Sequence, residues 1–501
     1  MTSGLSQVGA LLALRWQMTR APGVRIGLVA GAALLLWLLI LAVGSAGSLD
    51  APALETAVEL APSAFLGFGL LALVAPLTAG GGAEVVPSDQ LVAYPVRPST
   101  AFFGGLLLAP VNLVWVVQLL ALAAMTAFLT VEGALLPGVV TAGSYVLALT
   151  VLGQAVAWFV VGLRQTRRGR RAVAGAGAGL LLTCVLVVQA GKGGAALDAS
   201  PTRSVVAGVV AGSEGQLLRW TLTTSLLLAL LAVGLVLGTR SCSWALRRPG
   251  DAGATRRTAP LRRRPARSSA LAELVAVDRA SVWRAPALRR GGLVLAILPG
   301  LVTVGAAAPW TSLIILPGLV AAGAGLLFAV NAFCLDASGA VWLASLPHNP
   351  RLTLQAKLIV MTETVFATVV VVLVAGSLRS PGQPTSAELS ALVASAIACT
   401  AVVVTVALGM SVRHPHRADL HGPRDAVAPP GALALASLRM AAPAAAVGVL
   451  LSGSAQPGHW LWPVVVALPV LLICGLLVAR SARRHADPHI RSRIVQAVSA
   501  G

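Results

Sequence analysis

A lysine in a glycine-rich setting, two histidine clusters and a few polar residues inside apolar runs are the groups whose types and spacing could do chemistry here. In AGKGG (Ala190–Gly194), Lys192 follows Gly191. A phosphate-binding loop also needs a glycine five residues before that pair and Ser or Thr after the lysine, where this chain has Leu186 and Gly193. Any ATP is therefore hydrolysed by another chain. His414, His416 and His421 lie close together and His485 and His489 are four apart, but Pro415 and Pro488 break the helical spacing and no cysteine accompanies them, so they read as solvated loop rather than a metal site. Cys184, Cys334, Cys399 and Cys474 fall in apolar runs and Cys242 at the end of one, which suits small packing residues better than a disulfide framework. The expectation is a protein that is not an enzyme, with no catalytic group, metal or cofactor.

The polar residues inside apolar runs carry more information, because a polar or charged side chain in hydrocarbon is costly and usually faces a partner or a cavity. Asn112, Gln118, Asn331 and Glu363 are those residues. They fit either the lining of a translocation route or a lock between halves, and also plain interhelical hydrogen bonds or snorkelling contacts.

The elements that must position them are membrane spans. About 20 apolar residues cross roughly 30 Å of hydrocarbon, and twelve runs of that kind occur, near 25–45, 60–81, 103–128, 134–162, 172–190, 220–239, 292–308, 311–334, 358–377, 389–412, 436–455 and 461–479. A hydrophobic content of 57% with 11% charged residues agrees with an all-α polytopic membrane protein. The apolar core of the first run, Ile26–Val43, is longer than a signal-peptide core, so it is read as a retained span.

Arginine placement then orients the chain, since Lys and Arg stay on the cytoplasmic side. All but five of the 37 lysines and arginines fall in alternate gaps, the exceptions being Lys192, Arg203, Arg219, Arg379 and Arg439. Both termini are thereby expected in the cytoplasm of a bacterial inner membrane. The net charge of +20 is spread over these loops with no basic globular domain, which argues against a nucleic-acid partner. The dense stretch from Arg240 to Arg290 suits anionic membrane lipid.

Two sequence pairs point to a duplication. RWQMTRAPGVR (Arg15–Arg25) and RASVWRAPALR (Arg279–Arg289) share Arg, RAP and Arg at identical spacing, and YPVRPSTAFFGGLL (Tyr94–Leu107) matches LPHNPRLTLQAKLI (Leu346–Ile359) in Pro-x-x-Pro before an apolar run. The implied organisation is a six-span half over 1–240, a basic linker over 241–269, a second six-span half over 270–480 and a tail over 481–501. Residues 5–20 and Ala270–Arg284 read as amphipathic helices lying in the headgroup region, the second with Leu271, Leu274, Val275 and Val282 on its apolar side.

An interfacial helix before the first span, six spans per half and a structured loop after the second span resemble the permease of a type 2 ABC exporter, in an actinobacterial-like form with two fused domains. The stretch LDASGAVWLASLPHNPRLTLQAKLI (Leu335–Ile359) is similar to that family's pattern of Asp, a Trp-Leu pair, a Leu-Pro turn and a Lys at the mouth of the next span. The resemblance implies a membrane permease that alternates access between its halves while a separate ATPase subunit supplies the energy. It also implies coupling loops at Tyr94, Pro95, Arg97 and Pro98 and at Leu346, Pro347, Pro350 and Arg351. The first loop departs from the second in having Gly104 and Gly105 where the second has Ala356 and Lys357. An ion-coupled secondary transporter, with Glu363 as its acid, and a non-transporting scaffold subunit are the other readings. The 11 tryptophans among apolar walls suit a hydrophobic substrate, although tryptophan also collects at membrane interfaces.

Overall fold

The computed structural model describes residues 61–62, 64–70, 72–73, 97–107, 113–130, 134–190, 200–247, 269–305, 308–337, 339–347, 349–416 and 430–499. The first expected span, the amphipathic stretch at 5–20, Tyr94, Pro95, Asn112, Lys192, His421 and most of the basic linker lie outside them. All regular structure among the described residues is helical, as expected where backbone polar groups must be satisfied within the chain's own segments. Seven of the helices are long and apolar enough to cross a bilayer, so this is a multi-pass α-helical membrane protein. The seven correspond to the fourth, sixth and eighth to twelfth apolar runs.

The chain divides into two compact units, Met1–Arg257 and Thr258–Gly501. The first contains α1 (Pro98–Leu107), α2 (Leu113–Leu129), α3 (Leu135–Arg164), α4 (Arg167–Gln189), α5 (Thr202–Ser213) and α6 (Leu217–Arg247). Its framework is the long pair α3 and α6. A hydroxyl pair, Thr141–Thr224 at 2.9 Å, joins them near one end, and Gln165 Nε2 donates to the Ala245 carbonyl at 2.9 Å near the other. Between these ties Gly162 lies directly under the Trp244 ring, where a Cβ would come within 2.1 Å of it. On α1, Phe102 is fully buried against Gly238 of α6.

The second unit contains α7 (Ala270–Arg284), α8 (Pro286–Gly305), α9 (Trp310–Ala324) running into a π-helical turn (Gly325–Ala329), the short α10 (Gly339–Ser345), α11 (Pro350–Ser377), α12 (Ser386–Arg413), α13 (Pro430–Ser454), α14 (Leu461–Ala486) and α15 (Pro488–Ser499). At its centre is α12, with fully buried Ala391, Cys399, Val403, Ala407 and Leu408, packed against α9, α13 and α14. Small residues bring backbones together without side-chain interference. A Cβ on Gly318 of α9 would lie 2.5 Å from the Ala444 carbonyl oxygen of α13, and one on Gly448 of α13 would lie 2.9 Å from that of Ile315. The GAG run behaves likewise, Gly323 meeting Leu295 and Gly325 meeting Val403 and Met440. The GAGAG run of α4 differs: Gly175, Gly177 and Gly179 have open space beside them within the described residues.

The segment from 481 on, read from sequence as a tail, is helical. His485 of α14 stacks on Phe333 with ring centroids 5.5 Å apart. After Asp487 the chain turns into α15, whose Ile494 and Val498 are buried in the core of the unit.

Candidate functional site

The most heavily buried charge cluster among the described residues joins three elements at the arginine-bearing end of the second unit. Helix α7 starts at an N-cap, Ser269, whose side chain accepts from the Ala272 amide, and carries Glu273 in its first turn and Arg284 in its last, both favourable to the helix dipole. Its apolar side lies along α11, with Val275, Ala356 and Val360 buried together and Leu271, Leu274 and Val282 around them. Helix α11 is started by Asn349, whose side chain accepts from the Arg351 amide at 3.0 Å, with Pro350 as the first helical residue, a position where a missing N–H costs nothing.

On this scaffold Lys357 of α11 is only 4% exposed. Its ammonium donates to Asp278 Oδ1 of α7 at 2.8 Å and to Asp336 Oδ1 at 2.6 Å. The two acids are themselves nearly enclosed, with side chains 12% and 15% exposed. The cluster carries one more carboxyl than cation. Burial pushes the Asp278 carboxyl above the usual aspartate range, Asp336 adds repulsion, and Lys357 opposes both. A second, mirrored contact lies beside it: Arg279 of α7 donates through Nε to Glu363 Oε2 of α11 at 2.7 Å and through Nη2 to the other oxygen. This outer pair is largely solvated and stabilises weakly by itself. Two adjacent α7 residues of opposite sign thus meet two α11 residues of the complementary sign, which fixes both position and direction of α7 on α11.

Asp336 ends the turn that follows the π-helical segment, and Ala337 beyond it takes φ of 42°, unusual for a residue with a Cβ. The chain then forms α10. Ala340 packs into the core, while Val341, Trp342 and Leu346 are 52%, 77% and 57% exposed. Helix α15 lies against α10 and is itself tied down by Arg493, whose guanidinium donates to the Val412 and Arg413 carbonyls at the end of α12, both at 3.4 Å. A short helix bearing an exposed tryptophan is therefore braced on one side by a buried ion cluster and on the other by a docked helix.

The sequence-derived site residues fall as follows. Leu346 and Pro347 lie in the turn ahead of α11 and Pro350 and Arg351 in its first turn, Leu346, Pro347 and Arg351 exposed and Pro350 half-buried. Arg97 is exposed just ahead of α1 and Pro98 opens that helix, its carbonyl accepting from the Cys242 thiol at 3.3 Å. Gln118, on α2, has its Nε2 buried without a hydrogen-bond partner among the described residues. Asn331 is 2% exposed, and its Nδ2 donates to the His416 carbonyl at 2.6 Å, joining the turn after α9 to the chain leaving α12. Glu363 faces Arg279 rather than a cavity. Sequence reasoning did not single out Asp278, whose signal was its position beside Arg279 on an amphipathic helix. It also passed over α15, whose signal was Ile490, Ile494 and Val498 at four-residue spacing after Pro488.

No family model, curated protein or solved structure matches the chain. The functional reading rests on the residues and their arrangement.

Proposed function

We propose that this chain is the membrane permease subunit of an ATP-driven exporter, built from two six-span halves that alternate access for a hydrophobic compound while a separate ATPase subunit hydrolyses ATP. The carrying observation is the bracing of α10. A loop that only connects spans has no use for a buried Lys357–Asp278–Asp336 cluster beneath it, nor for apolar Val341 and Trp342 held out from a rigid short helix. Exposed apolar side chains mark a surface that meets a protein partner or a membrane, and the braced support of α10 favours the protein partner. In the orientation given by the arginines that surface is cytoplasmic, where an ATPase would meet it, and α7 is the interfacial helix that transmits the push to α11. The ion-coupled carrier is disfavoured by Glu363, which is engaged by Arg279 instead of standing free to exchange a proton.

The test is reconstitution with a candidate nucleotide-binding ATPase subunit, following efflux of a hydrophobic dye and ATP turnover. Trp342→Asp and Arg351→Glu should abolish dye-stimulated hydrolysis and transport while thermal stability stays within a few degrees of the parent. Transport that runs on a proton gradient with no ATPase present would refute the proposal.

A further inference from the structure

The inner ends of α12, α13, α14 and α15 hold an arrangement that neither the bracing of α10 nor the positive-inside rule requires. Their described residues contribute Arg413, Arg439, Arg480, Arg483, Arg484, Arg491 and Arg493 against one acid, Asp487. Arg413 lies within electrostatic range of Arg484, Arg480 and Arg439. His414 is held below the usual imidazole value, first by burial and then by Arg439, Arg413 and Arg493. Asp487 caps α15, its Oδ1 accepting from the His489 amide at 2.9 Å, and offsets only one of these positive charges. Among the described residues no carboxylate is within ion-pair distance of Arg413, Arg439, Arg480, Arg483 or Arg484.

Arg480, Arg483 and Arg484 line an open cavity of about 670 Å³ in the corner between α14 and α15, together with Leu476, Leu477, Ile490 and the single acid Asp487, leaving three cations against one carboxylate. Those leucines are 68% and 41% exposed, and Leu472 and Ile473, one turn further along α14, are 67% and 57% exposed. Only 17% of the apolar window of α14 is buried, the smallest share of the seven spanning helices. The corner is thus cationic where the span leaves the membrane and continuously apolar where it enters. At 1.5 Å per residue, Leu476 and Arg483 are separated by about 10 Å along the helix, the step from upper acyl chain to headgroup phosphate.

We propose that this corner is a binding site for an anionic phospholipid, its phosphate held by Arg480, Arg483 and Arg484 and its acyl chains laid along Leu476, Leu477 and the exposed face of α14. Charge complementarity selects the headgroup, since basic pockets on the cytoplasmic side of membrane helices take anionic lipids, and the adjoining leucines select a lipid over a free anion. The site needs only the membrane reading and is independent of the exporter reading. Bound there, the lipid neutralises the repulsion among four converging helix ends and seats α15, the helix that braces α10.

The experiment titrates the full-length protein in detergent with phosphatidylglycerol, phosphatidylcholine or inorganic phosphate, and reads bound lipid by native mass spectrometry and thermal stabilisation. Phosphatidylglycerol should bind and raise Tm; phosphatidylcholine and inorganic phosphate at equal concentration should not. Each arginine removed should weaken phosphatidylglycerol binding about fivefold, so Arg480→Gln/Arg483→Gln/Arg484→Gln should lose about a hundredfold and the corresponding triple lysine variant should retain most of it. If the glutamine triple fails to fold, Arg483→Gln alone carries the test through its fivefold loss. Equal binding of phosphatidylcholine, retention of phosphatidylglycerol by the glutamine variants, or displacement by inorganic phosphate overturns the proposal. So does an unchanged lipid affinity accompanied by lost association with the ATPase, which would assign the patch to an acidic protein surface.

Discussion

Replacing Lys357 by methionine, close in length and uncharged, isolates what the buried cluster contributes. The ammonium sits 2.8 Å from Asp278 Oδ1 and 2.6 Å from Asp336 Oδ1, so those two oxygens cannot be more than 5.4 Å apart, the sum of the two distances. Without the lysine, two nearly enclosed carboxylates at that separation repel by at least about 3 kcal/mol at an effective dielectric of about 20. Breaking a buried pair typically costs about 3–5 kcal/mol, and the two estimates agree. For a unit of this size that corresponds to a fall in Tm of about 6–20 °C, read by thermal unfolding in detergent near neutral pH. The loss should shrink as the pH is lowered, because Asp278, already pushed up by burial, takes a proton and ends the repulsion. The neutral triple Asp278→Asn/Lys357→Met/Asp336→Asn should recover to within about 2 kcal/mol of the parent, as buried ion clusters exchanged for neutral groups often do. A Lys357→Met loss below about 1 kcal/mol, or one that does not change with pH, would show that the three groups are not coupled as described.

Two further outcomes follow from the same geometry. A raised folded-state value means Asp278 binds its proton more tightly in the native protein, so its contribution to stability is full below the unfolded value near 4 and is lost as pH rises through the folded value; Asp278→Asn should therefore leave Tm unchanged or higher at about pH 7.5 and flatten the decline between acid and neutral pH in a stability–pH curve. Gly318→Val should cost about 1–3 kcal/mol in chemical denaturation because its Cβ meets the Ala444 carbonyl at 2.5 Å, whereas Gly177→Ala, with open space around it, should be neutral or stabilise α4 by up to about 1 kcal/mol.

The spans were legible because length and hydropathy in lipid leave a helix as the available solution, and the seven long apolar helices coincide with runs read from composition. Helix α7 was legible for a related reason: the placement of Leu271, Leu274, Val275 and Val282 admits one apolar side, and that side meets Ala356 and Val360. The ion cluster was not legible. Lys357 stood out as a lysine at the mouth of a span, but its partners lie 79 and 21 residues away, and no local pattern pairs residues across such distances. Glu363 was legible only as a pair of alternatives, a route-lining acid or an interhelical contact, and its Arg279 partner 84 residues away is tertiary information. The glycine runs of α4 and α9 look alike as strings, and whether another described helix passes them is tertiary information.

The cluster also bears on how the two halves would share work. On the proposed duplication Gly105 falls where Lys357 stands, Leu14 where Asp278 stands and Glu84 where Asp336 stands, so the first half keeps an acid at one position, outside the described residues, but has neither the cation nor the α7 acid of the clamp. Its α1 is held by different means, with Phe102 filling the space over Gly238 and the Cys242 thiol donating to the Pro98 carbonyl. Both contacts go to α6, the last long helix of that unit, and none of them involves charge. Apolar packing of this kind tolerates small shifts, since dispersion falls off gradually over a fraction of an ångström, whereas removing Lys357 from between two buried acids carries a large electrostatic penalty. A force applied at α10 would therefore pass to α7 and α11 as one body, while a force applied ahead of α1 would be taken up by the packing between α1 and α6. If the exporter proposal holds, the expectation is that the second half responds rigidly to an ATPase subunit and the first half follows.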